Sequence, residues 1–194
     1  VIDQRNAGAS ITPTGNTFTV DRWNAITPTL SSTFSVQQNA GSVTPPTGFA
    51  NYLGLTSLAA TTISSADRSS IKQVIEGYNT ADFAFGTAGA KTVTLSFWAR
   101  SSLTGTFGGA LQNGASDRAY PFAYTISTAN TWEHKAITVV GDTTGTWAAT
   151  NTGGMQVYFH VGTGSTYEGA AGSWQSGDLR KPTGAIDILA TNGA

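Results

Sequence analysis

The stretch KTVTLSFWAR, residues 91–100, alternates apolar and polar side chains at every step, a pattern that a helix of period 3.6 cannot put on two clean faces. Val93, Leu95, Phe97 and Ala99 fall on one side, and Thr92, Thr94, Ser96, Trp98 and Arg100 on the other. That is the period of a strand with one face on a core and one in water, as in an antiparallel sheet. The same period recurs along the chain. TFTVDRW places Phe18, Val20 and Arg22 opposite Thr17, Thr19, Asp21 and Trp23. Further strands are read in STFSVQQ, YLGLTSL, SSIKQVIEG, TGTFGGALQ, YPFAYTIS, WEHKAITVV, MQVYFHV and GAIDILA. Clusters of Gly, Pro, Asn, Thr and Ser separate them, as turns separate the strands of a sandwich or barrel.

Only NTADFAFGT, residues 79–87, reads as a helical turn, with Asn79 or Thr80 as cap, Phe83 inward and Gly86 as stop. About ten strands with no βα alternation predict an all-β fold, an antiparallel two-sheet β-sandwich of the jelly-roll kind. Charged residues make up 11% of the chain, so Thr, Ser, Asn, Gln and Gly must build its polar surface, which again favours strands over Glu- and Lys-coated helices. The length predicts one domain, residues 17–194, preceded by an N-terminal arm or connector, residues 1–16. A start at Val1 reads as a processed product or a piece of a longer polypeptide.

A net charge of −1 gives no electrostatic footprint for nucleic acid, and no run is long and apolar enough for membrane insertion by a helix. There is no cysteine, hence no disulfide and no thiolate metal site. The two histidines, His134 and His160, sit in strand patterns with no nucleophile motif near them. The carboxylates are scattered. Asp67 and Asp142 read as turn residues that bond their own backbone. Asp21 beside Arg22, and Glu133 beside Lys135, read as surface or cross-strand ion partners. Neither zinc spacing nor a calcium loop is present, so no metal, cofactor or catalytic residue is assigned, although scattered carbonyls and Asp are compatible with a structural calcium ion.

The linker-like stretches are NAGSVTPPTG, residues 39–48, and the long segment 161–184. Long loops on a rigid sandwich are where ligands tend to be met. Trp174 and Tyr167 lie in the second of these, with Gln175, Asp178 and Glu168 nearby, and are the leading glycan-binding candidates: an aromatic ring to stack on a sugar, polar groups for its hydroxyls. Asp117, Arg118 and Tyr120, around the hairpin turn in LQNGASDRAYPF, are the second set. Trp23 reads as a corner-packing residue, Trp132 as the opening of a strand, and Trp147 as a lid after the turn GDTTG. Trp98 is either a sheet-face anchor under a loop or neighbouring subunit, or an exposed platform.

Four segments in order, IDQRNAGASITPT, FTVDRW, KTVTLSFWARSS and GDTTGTW, resemble a domain family of bacteriophage tail-fibre and virion-appendage proteins, over Ile2 to about Asp187. The resemblance implies a jelly roll akin to carbohydrate-binding modules, displayed on the virion surface, often trimeric, with no catalytic residues to carry over. Such domains commonly continue with a last strand reading roughly F-Y-I-T-G-V-Q-L-E, whereas here the chain ends ILATNGA. Either the strand around Asp187 closes the sheet or a neighbouring subunit supplies the edge. The expectation is therefore a non-enzymatic phage fibre domain, from tail or head, for host attachment. Its partners would be host-surface polysaccharide or glycan and other fibre subunits in a homotrimer. The alternatives are a purely structural trimerisation or docking domain and, behind it, a polysaccharide depolymerase.

Overall fold

Alternating runs become a sheet where they lie in register. The computed structural model describes all 194 residues, Val1–Ala194. Ten strands have four or more residues: β1 (Gly15–Phe18), β2 (Trp23–Thr27), β3 (Phe34–Gln38), β4 (Leu53–Ser57), β5 (Arg68–Glu76), β6 (Val93–Ala99), β7 (Gly105–Asn113), β8 (Arg118–Ile126), β9 (Glu133–Val139) and β10 (Gly153–Thr163). Three two-residue strands follow, β11 (Glu168–Gly169), β12 (Gln175–Ser176) and β13 (Lys181–Pro182). One large sheet runs β1-β2-β5-β10-β7-β8-β12, and the antiparallel pairs β3–β4 and β6–β9 form the layer facing it. The chain is thus an all-β, antiparallel β-sandwich.

The core lies between the layers in two clusters. Ala25, Ile71 and Val161 of the large sheet meet Phe34 and Val36 of β3 in the first. Leu111, Phe122, Met155 and Val157 meet Val139 of β9 and its neighbours in the second. Phe159 touches both, its ring edge-to-face with Phe97 at 5.0 Å and Phe122 at 5.6 Å. Full burial of one such ring contributes about 1.5–3 kcal/mol. β10, the central strand, therefore joins the two halves.

Most strand expectations are met, and the exceptions have physical causes. TFTVDRW is a hairpin: β1 ends at Phe18, β2 begins at Trp23, and the turn between them holds Arg22 at φ +67°. Trp23 N–H donates to Val20 O to close it, and Trp23 packs on Phe159 at 6.2 Å. Asp21 does not pair with Arg22. Its carboxylate accepts the backbone N–H groups of Gln4 and Arg5, while Arg22 reaches Glu76 at 3.0 Å. GAIDILA is not a strand and closes no sheet. Ile188–Ala190 form a 3-10 turn, its ends bonded within the segment, and Leu189 drops into the first core cluster. Alternation there reflects half-burial without a ladder.

The helical turn lies slightly earlier than its expected bounds, as α1 (Gly77–Thr80) and a 3-10 turn at Ala81–Phe83, with Ala84 in the left-handed region. Glu133 and Lys135 pair at 2.6 Å, and Asp67 accepts the Ser64 N–H in its own turn. The Pro-containing stretch 39–48 is held down by two rings. Trp132 Nε1 donates to Thr44 O at 2.9 Å and lies edge-to-face with Tyr52, whose hydroxyl accepts the Val43 N–H. No helix is long and apolar enough to cross a membrane.

Candidate functional site

The two segments singled out for a ligand come together. β12 pairs with the start of β8, Gln175 opposite Ala119 and Ser176 opposite Arg118. The side chains there are engaged with one another. Trp174 lies in an aromatic nest, edge-to-face with Phe85 (5.7 Å), Tyr120 (5.3 Å) and Trp147 (5.2 Å), and its indole N–H donates to Val140 O at 2.6 Å. Arg118 makes a bidentate pair with Asp142 at 2.8 and 2.7 Å. Asp142 is buried, which disfavours its charge, yet hydrogen bonds from Arg118 and Thr144 outweigh burial and hold its pKa below the ordinary value. Asp117 and Asn113 exchange bonds that close the hairpin, and Gln175 donates to Ala170 O. GDTTGTW is therefore a fastening, in which Asp142 anchors Arg118 and Trp147 caps the nest.

Asp178 and Tyr167 belong to a second group, on the outer face of the large sheet. Asp178 accepts from Arg180 at 2.8 and 2.9 Å, from Arg68 at 3.0 Å and from Gln112 at 2.9 Å. Tyr167 lies under the Arg68 guanidinium, 5.1 Å from ring centre to Cζ. Arg180 in turn covers the ring of buried Tyr158 at 4.8 Å. This strap closes the outer face over β7 and β10.

Register extends the same face toward the other edge. Phe18 of β1 stands opposite Asn24 of β2, Asn24 opposite Lys72 of β5, and Lys72 opposite Tyr158 of β10. One cross-strand row thus reads ring, amide, ammonium, phenol, at strand spacings of about 4.8 Å. The Tyr158 end lies beneath Arg180. The other end opens into a cleft of about 430 Å³ bounded by Phe18, Arg22, Asn24, Lys72 and Glu76. Phe18 is 53% exposed, and Arg5 approaches its ring at 5.2 Å. Asn24 is only 9% exposed, makes no side-chain hydrogen bond, and leaves its Oδ1 buried without a partner. Such an orphan is uncommon in a folded chain and costs about 1–3 kcal/mol. An aromatic face, a side-chain amide and an ammonium thus border one recess.

Sequence reasoning missed this row because its members come from four strands, at positions 18, 24, 72 and 158. SSIKQVIEG carried half the signal, since its alternation puts Ser70, Lys72, Val74 and Glu76 on one face. Reading Phe18 as a partner of Val20 hid the rest: Val20 is buried and Phe18 is not.

Two other places collect chemistry. Lys181 bridges Asp187 (2.7 Å) and Glu168 (2.9 Å), while buried His160 lies 3.6 Å from Asp187 with neither ring nitrogen hydrogen-bonded. Burial pushes the His160 pKa down, and the Asp187 carboxylate opposes this only in part. On the outer face of the β6–β9 pair, Trp98 is 41% exposed beside His134, ring centres 5.4 Å apart, and no loop of the chain covers it.

No protein-family model and no curated protein matches the chain. Among solved structures, the chain is similar to the enzymatically active domain of tailspike protein 4 of bacteriophage CBA120, at 14% identity and a TM-score of 0.46. The match covers 81% of this chain and 19% of that one. The expectation of a non-enzymatic chain is corrected here, because the protein it is compared with is an enzymatically active domain. A likeness of that degree transfers neither a reaction nor residues to this chain.

Proposed function

We propose that this chain is a β-sandwich domain of a phage tail appendage that contacts host-surface glycan, and that the sugar sits in the cleft between Phe18 and Lys72. The virion setting is supported by the four ordered sequence segments that resemble fibre and appendage domains. The cleft is supported by the Asn24 amide, nine-tenths buried at its floor and without a partner. A glycan hydroxyl would accept from the Asn24 amide N–H, which no group of the chain uses, while the apolar face of the sugar lies on Phe18. Assembly with other fibre subunits as a homotrimer is part of the same proposal, since a weak site repeated three times gains avidity without new contacts.

Glycan-array binding of the wild-type chain and of Phe18→Ala and Asn24→Ala tests it. Wild type binds a subset of glycans and both variants lose that binding while remaining folded; equal binding by all three rules out the cleft. Reducing-end measurement on the bound glycans reports whether contact is accompanied by cleavage.

A further inference from the structure

The charges around the cleft narrow the chemistry of what it takes. On the outer face of the large sheet three cations, Arg68, Lys72 and Arg180, stand near a single carboxylate, Asp178. Arg68 and Arg180 both pair with it. Lys72 pairs with no carboxylate. Its ammonium donates to two neutral acceptors, Gln156 Oε1 at 2.8 Å and Tyr158 Oη at 3.3 Å. At the far side of the cleft Glu76 is neutralised by Arg22. The recess therefore holds one partly buried ammonium without an ion-pair partner, opposite an amide that makes no side-chain hydrogen bond within the chain. Burial and then the neighbouring Arg180 lower the Lys72 pKa, and the Asp178 carboxylate opposes them only in part.

We infer that the cleft selects a carboxylate-bearing sugar, a hexuronate or a sialic acid, with the carboxylate on Lys72 Nζ and the ring edge on Asn24. This rests on the glycan-binding reading above and deepens it. A neutral sugar would satisfy Asn24 but leave Lys72 unpaired, whereas a carboxylate forms a charge-assisted hydrogen bond there, about twice as strong as a neutral one. Arg22 differs from Lys72 in that its charge is already compensated by Glu76.

The test is a titration of wild-type protein with an array of uronate- and sialate-containing oligosaccharides beside their carboxyl-reduced neutral counterparts. The acidic forms bind about tenfold more tightly, a gap that shrinks as salt is raised. Lys72→Gln removes the gap by weakening the acidic ligand alone, and Lys72→Arg restores it. If neutral and acidic forms bind equally, and Asn24→Ala abolishes both, the preference for acid is wrong while the glycan site stands. If Lys72→Gln weakens both forms alike, Lys72 supports the cleft's shape and the inference is likewise overturned. If no glycan of either kind binds, both readings fall.

Discussion

The aromatic nest at Trp174 and the cleft at Asn24 are built from the same kinds of residue and differ in what those residues do for each other. In the nest, Phe85, Tyr120, Trp147 and Trp174 meet edge-to-face, Arg118 and Asp142 close on each other in two bonds, and the Trp174 N–H finds Val140 O. In the cleft, Phe18 is open, the Asn24 amide is unmatched, and Lys72 lacks an anion. Aromatic content alone does not mark a site. A ring in a long loop stabilises the fold when the loop brings it onto other rings. A recess suits a ligand when it keeps polar atoms that the fold itself does not satisfy.

The largest effect that would sharpen this contrast is in the nest. Trp174→Ala removes a side chain shared by three rings and should destabilise the chain by about 3 kcal/mol, seen in the urea midpoint. Asp142→Ala leaves Arg118 and the Thr144 N–H without their acceptor, a loss of about 2–3 kcal/mol by the same measurement. Both predictions break the comparison if the nest proves dispensable. Asn24→Ala should change stability by less than about 0.5 kcal/mol or raise it, since it removes an unsatisfied group rather than a bond. A large loss there would mean that the amide is satisfied in solution, and the cleft would lose its orphan.

Acid separates the regions again. Asp142, Asp178 and Asp187 are all buried enough to resist charge, but their pKa values are held below the ordinary 3.8, by hydrogen bonds from Arg118 at Asp142 and from Arg180 at Asp178, and by the nearby His160 ring and the Lys181 hydrogen bond at Asp187. Their folded pKa lies beneath the unfolded one, so their stabilisation is complete above pH 3.8 and is lost as pH falls below it. His160 is depressed from 6.5 by burial, so the unfolded chain takes up a proton that the folded chain resists. Stability should therefore begin to fall below pH 6.5, ahead of the carboxylates. Urea midpoints between pH 8 and pH 5 check this: the decline appears in wild type and flattens in His160→Gln.

Much of the fold was legible because a strand with one wet face writes its burial into the sequence every second residue, as in Val93 to Ala99. GAIDILA carries the same alternation but makes only single backbone bonds to Thr106 and Thr61 and no ladder, and Thr19 to Arg22 alternate straight through a turn; periodicity reports burial and is silent on hydrogen-bond partners. The nest was half legible: a Trp in a Gly/Ser loop signals contact with something, but not that the something is Phe85 and Trp147. The cleft was hidden because Phe18, Asn24 and Lys72 meet only through register, which no local pattern encodes.

On the proposed function, glycan binds in the cleft at Asn24 and not where Trp174 is packed. A direct test compares glycan-array binding of Asn24→Ala with that of Trp174→Phe, which keeps a ring in the nest but loses the N–H bond to Val140 and part of the indole's contact area. Binding is expected to be lost in the first and kept in the second. Binding kept by Asn24→Ala and lost by a folded Trp174→Phe would contradict it.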